Sequence, residues 1–142
     1  MSVTNEEFRS ATGMFPSLVP LSNDHNGHIS AIAVVIGGIE GSSARATRPV
    51  SYRILASVQD LHTALPTIWI ASPSDDQIRH VNIFRANQVC PFTGTRLPTL
   101  CWGETPEAWW GTLTAQRRLA NLLEAVRQVL ASANTASAAR SN

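Results

Sequence analysis

Between Ile29 and Phe84 the chain strings together four short segments of strand character with turns between them, and this succession limits the available folds more than any other feature. Ile29 to Ile39 is an apolar run rich in β-branched residues, the mark of a buried strand. Gly37, Gly38 and Gly41-Ser-Ser43 bring it to an end. From Ser51 to Gln59, Tyr52, Ile54, Ala56 and Val58 alternate with more polar neighbours, Leu55 excepted. Thr67 to Ala71 is held between Pro66 and Pro73 with Ile68 and Ile70 on one face, and Val81 to Phe84 is a fourth segment. Strands that follow one another with short turns favour antiparallel pairing, so the expectation is an α+β chain with an antiparallel four-stranded meander.

Helical signals lie outside that block. Thr4 to Met14 suits a short helix, with Thr4 as N-cap and Glu6 and Glu7 in the first turn, where carboxylates complement the helix dipole. Pro16, Pro20 and the turn cluster Asn23 to Gly27 separate it from the first strand. The stronger helix is Ala115 to Ala131, with Thr114 as its N-cap. Leu119, Leu122, Leu123, Val126 and Leu130 form one stripe at helical spacing, while Arg117, Arg118, Glu124 and Arg127 face away. That stripe needs an apolar partner, and a sheet face supplies it. Cys90 to Pro106 contains three Pro and two Gly and reads as an irregular loop. Residues 132–142 are small and polar and read as a flexible tail, leaving one domain over residues 1–131.

Composition removes several function classes. The formal net charge of +1 offers no strong attraction to nucleic acid. Met1 to Arg9 is polar and acidic, unlike a signal peptide, and the longest apolar run is too short to span a bilayer, so a cytoplasmic protein is expected. Two cysteines do not make a disulfide scaffold. All eleven basic residues are Arg. Codon bias explains this simply; alternatively, a lysine-free surface has no side-chain amines to capture an activated acyl group.

Cys101 stands in the Pro-rich segment between Leu100 and Trp102, with Gly103 after it. A thiol held on such a loop can be both nucleophile and leaving group, as acyl relay requires. Glu104 and Glu107 disfavour a resting thiolate of the protease kind, which fits a thiol that accepts from a partner already activated as a thioester. Asn82, in His80-Val81-Asn82, can offer an amide N–H to a developing oxyanion, and His80 can brace the turn through its ring nitrogens. Purely structural roles remain open for all three residues. His80, Cys90 and Cys101 lack the spacing and the fourth ligand of a zinc site, Cys90 and Cys101 lack a CxxC redox spacing, and no phosphate-binding Gly loop, HExxH or GxSxG occurs. No metal or cofactor is therefore expected.

Taken in order, these residues resemble the ubiquitin-conjugating enzymes and their bacterial relatives. Pro66 and Pro73 correspond to that family's paired prolines, His80-Val81-Asn82 to its His-Pro-Asn turn with Val replacing Pro, and Leu100-Cys101-Trp102 to its cysteine context. Trp109 follows Cys101 by eight positions, and Leu113-Thr114 precedes the long helix. The resemblance implies a UBC-like fold and an enzyme in which Cys101 accepts a ubiquitin-like protein from an activating enzyme and passes its terminal acyl group to an amine on a target protein. Asn82 would then be the oxyanion or loop-bracing residue. Family spacing counted forward from His80 lands on Cys90; counted back from Trp109 it lands on Cys101, which is preferred because the loop-to-helix frame fixes the sulfur more firmly. The compact length resembles bacterial members found in antiviral defence operons. The alternative is an inactive member of the same fold that only binds partners. Neither reading involves nucleic acid or a membrane.

Overall fold

A computed structural model describes residues 2–103 and 118–140 of the 142-residue chain. Helix α1 (Asn5–Thr12) begins at the expected cap, where Thr4 Oγ1 accepts the backbone N–H of Glu7 at 3.2 Å. Six strands follow: β1 (Val19–Asn23), β2 (Ile29–Ile39), β3 (Pro49–Ser57), β4 (Ile68–Ser72), β5 (Ile83–Val89) and β6 (Arg96–Leu100). They form one antiparallel sheet in the order β1-β2-β3-β4-β6-β5. Among the described residues beyond 103 are helix α2 (Leu119–Leu130) and a short 3₁₀ turn at Thr135–Ser137.

The α+β class and antiparallel pairing agree with the sequence reading, but the sheet has six strands rather than four. β1 escaped notice because every residue in it is exposed, so no burial period marks it, and Pro20 is tolerated on this edge strand. β6 lies within the segment expected to be irregular. Its Pro98 cannot donate to a ladder, and the pairing accommodates this: the β5–β6 register steps from Phe84↔Thr99 to Gln88↔Leu97, so Pro98 faces an irregularity in β5.

Register places the core on both faces of the sheet. Val34, Ile54 and Ile70 form one cross-strand row, and Ile32, Ala56 and Ile68 another. Both belong to the main core with Leu119, Leu122, Leu123, Val126 and Leu130 of α2. On the opposite face Ala33, Leu55 and Trp69 align and pack with Cys90, joined by Ala71, Phe92 and Leu97. Covering on two sides explains why the middle of β2 is a continuous apolar run rather than an alternating one.

α2 starts later than expected: Arg118 has extended backbone angles (φ −107°, ψ 160°) and serves as the N-cap without a side-chain cap bond. The proposed cap Thr114 lies outside the described residues. At the other end α2 approaches β2 closely, and a Cβ on Gly38 would come within 2.6 Å of the Leu130 carbonyl oxygen. Residues 132–140, expected to fray, turn back onto the sheet instead, where Arg140 is buried. Its side chain finds five acceptors there, so the charge is satisfied without solvent.

Candidate functional site

The His80-Val81-Asn82 turn leads directly into β5, and Cys101 directly follows β6. Because Ile83 pairs with Leu100, the antiparallel ladder brings the neighbouring residues together, and the Cys101 N–H donates to the Asn82 carbonyl at 2.8 Å. The sequence brings the two candidates together by pairing two strands, one of which periodicity could not reveal.

His80 is fully buried and bonded at both ring nitrogens. Nδ1 accepts the backbone N–H of Asn82 at 3.1 Å, which fixes the neutral tautomer with hydrogen on Nε2. Nε2 donates to the Leu130 carbonyl at 3.3 Å, capping one of the carbonyls left open at the end of α2. Tyr52 meets the ring edge-on, with centroids 6.2 Å apart. Desolvation pushes the His80 pKa below its ordinary value, outweighing the carbonyls of Leu130 and Ser132 that favour the imidazolium; nearby Arg140 pushes it in the same downward direction. A neutral, enclosed imidazole of this kind braces the turn and is not placed to exchange protons with a substrate.

Asn82 is also buried, and its carboxamide is fully engaged. Nδ2 donates to the carbonyls of Asn134 at 2.9 Å and Ser137 at 3.3 Å, while Oδ1 accepts the Asn134 N–H at 2.8 Å. In this conformation the amide braces the 134–137 turn and presents no N–H to a reacting carbonyl.

Cys101 is half-buried and borders a cavity of about 300 Å³ together with Asn82, Trp102, Gly103, Gln128, Val129, Ser132 and Asn134. Its thiol donates to the Ser137 carbonyl at 3.7 Å. Gly103 has φ +60°, a left-handed angle that favours glycine as the chain leaves the sulfur. Cys90, by contrast, is fully buried at the β5–β6 turn, where its carbonyl accepts the Gly94 N–H at 2.9 Å. Of the two cysteines, Cys101 is partly exposed and Cys90 is buried.

Other residues singled out from the sequence are not gathered here. Pro66 and Pro73 flank β4 and border different cavities. Glu104, Glu107, Trp109 and the Leu113-Thr114 pair lie outside the described residues. Among the described residues no cluster of three or more His, Cys, Asp or Glu is arranged to hold a metal ion, and no helix is long and apolar enough to cross a membrane. Sequence reasoning missed Asn134, Ser137 and Arg140. The only available signal was Asn134-Thr135-Ala136, where Asn134 Oδ1 accepts the Ala136 N–H at 3.1 Å and caps the 3₁₀ turn.

The chain matches no family model, no curated protein and no solved structure.

Proposed function

We propose that the protein is a UBC-like conjugating enzyme of the bacterial type: Cys101 accepts the C-terminal acyl group of a ubiquitin-like protein from an activating enzyme and transfers it to an amine on a target protein. The observation that carries this reading is the contrast between the two thiols. Cys101 is partly exposed, borders a cavity and is tied through its backbone to the Asn82 turn, whereas Cys90 is enclosed. In loading, the Cys101 sulfur attacks the carbonyl of the incoming thioester, a new C–S bond forms, and the donor's thiol departs with the proton. In discharge, an amine attacks the same carbonyl, a C–N bond forms and the thiol of Cys101 is regenerated. The absence of lysine removes internal side-chain amines that would compete for the acyl group. A cytoplasmic setting in antiviral defence belongs to this proposal.

The inactive binding module remains a second reading, favoured by one observation: the Asn82 carboxamide is already bonded on both its nitrogen and its oxygen. Incubation with an activating enzyme, ATP and a ubiquitin-like protein separates the two. A conjugating enzyme forms an adduct that disappears on treatment with a reducing thiol; Cys101→Ala abolishes it and Cys90→Ala retains it. A thiol-sensitive adduct that requires Cys90 instead would overturn the site assignment, and no adduct with any cognate set would leave the binding module.

A further inference from the structure

The segment from Asn134 to Arg140 does more than close the chain against the sheet. It touches both residues on which the proposed chemistry depends. The Ser137 carbonyl accepts a hydrogen bond from the Cys101 thiol at 3.7 Å, and the Asn134 and Ser137 carbonyls accept from the Asn82 amide at 2.9 and 3.3 Å. A carbonyl oxygen can accept from a protonated sulfur only, so this contact is lost whenever the thiol ionises or is acylated. The Ser137 carbonyl thus bonds both the thiol and the amide, so moving it away from one breaks its bond to the other as well.

Asn82 holds one end of the segment, and Arg140 anchors the other. The Arg140 side chain is fully buried, and Nε donates to the Ile83 carbonyl at 2.6 Å. Nη1 reaches the carbonyls of Asp75 and Ile78, both at 3.2 Å, and Nη2 reaches the Phe84 carbonyl at 3.0 Å and Asp75 Oδ1 at 2.7 Å. Asp75 Oδ2 in turn accepts the Ala86 N–H at 3.2 Å, so the carboxylate bridges Arg140 to β5. The backbone reinforces this anchor through the Ala139 N–H, which donates to the Val81 carbonyl at 2.5 Å, inside the His80–Asn82 turn. Apart from the Arg140 anchor, the segment is built of Asn, Thr, Ala and Ser, with no large apolar side chain to hold it down.

We infer that the Asn134–Arg140 segment is a latch beside the half-buried Cys101, held by the Arg140–Asp75 pair, and that its release frees the thiol from the Ser137 carbonyl, exposes the sulfur more fully and frees the Asn82 carboxamide together. Arg140 is a positioning residue that acts through the Ser137 carbonyl. The inference rests on the proposed reading only for what the freed thiol then does; thiol exposure itself is measurable without a ubiquitin-like protein.

The test is alkylation of the full-length protein with iodoacetamide, read at each cysteine by peptide mass mapping over time. Two variants are compared with the parent chain: Arg140→Gln, which removes the charge, and Asp75→Asn, which keeps Arg140 and weakens its anionic partner. Weakening one charge-assisted hydrogen bond in Asp75→Asn shifts an opening equilibrium by about tenfold, so Cys101 alkylation should accelerate by about that factor, and by more in Arg140→Gln, which loses the guanidinium's whole set of bonds, while Cys90 stays protected. Acceleration confined to Cys101 in either variant supports the latch. A Cys101 rate that is unchanged in both, or that rises only in step with Cys90, overturns it, because the first means the segment does not cover the sulfur and the second means Arg140 merely holds the fold together. If the latch fails while the thioester adduct still forms, the enzymatic reading stands alone.

Discussion

Replacing Gly41 with Ala should disturb the site from behind. Gly41 sits after β2 at φ +69°, with its N–H donating to the Ala46 carbonyl and its carbonyl accepting the Val81 N–H, both at 2.9 Å. A Cβ at this position would lie 2.3 Å from His80 Cδ2 and 2.6 Å from Cγ, well inside contact distance. The ring has little room to withdraw, since Asn82 and Leu130 hold its two nitrogens and Tyr52 lies against it. A left-handed angle costs a non-glycine residue about 1–2 kcal/mol. Forcing a methyl group into packed surroundings costs about 1–3 kcal/mol more. Together these give a loss of about 2–5 kcal/mol, a large share of the roughly 5–15 kcal/mol that holds an ordinary domain together.

Urea unfolding should show this as a lower midpoint with an unchanged slope. A double-mutant cycle with His80→Ala isolates the contact. Removing the ring gives the new methyl space, so the double variant should be more stable than the summed single losses imply, by about 1–3 kcal/mol, while the left-handed strain persists. A Gly41→Ala loss below about 1 kcal/mol, or additivity to within about 0.5 kcal/mol, would refute the view that the glycine exists to admit the imidazole.

Because burial lowers the His80 pKa, the unfolded chain takes up a proton before the folded one does as pH falls. Stability is complete above the unfolded value near 6.5 and declines below it toward the lower folded pKa, and His80→Gln should flatten the dependence of urea midpoints on pH below about 6.5. Leu123→Ala, at a fully buried position in α2, should cost about 2–5 kcal/mol in the same unfolding assay; a loss under about 1 kcal/mol would mean that α2 is not packed on the sheet as described. Asn82→Ala should slow discharge of a Cys101 thioester to an amine more than it slows loading, measured on separate single-turnover time courses. Equal slowing would restrict Asn82 to bracing the 134–137 turn.

What could be read from the sequence follows from how each element is stabilised. β2, β3 and β4 bury apolar side chains, and α2 buries a continuous stripe, so their burial patterns are written in hydropathy. β1 buries nothing and β6 carries a proline, so no burial period marks either; backbone pairing, of β1 with β2 and of β6 with β5 and β4, defines them instead of hydropathy. The site divides the same way. Cys101 and Asn82 were visible as residue types in order, but their closeness depends on β6 lying beside β5.

The segment at 134–140 shows the deeper limit. Composition correctly reports that it has almost no apolar surface to bury, yet burial is not its source of order. Arg140 exchanges water for the carbonyls of Asp75, Ile78, Ile83 and Phe84 and the carboxylate of Asp75. Those acceptors exist only after β5 and the turn before it have formed, so the segment's order depends on the fold that surrounds it. An anchor made of hydrogen bonds, those of Arg140, Asn82 and the Ala139 N–H, is also easier to withdraw than an apolar face, because water can replace each bond as it breaks. The feature that hid the segment from the sequence is therefore the one that suits it to open.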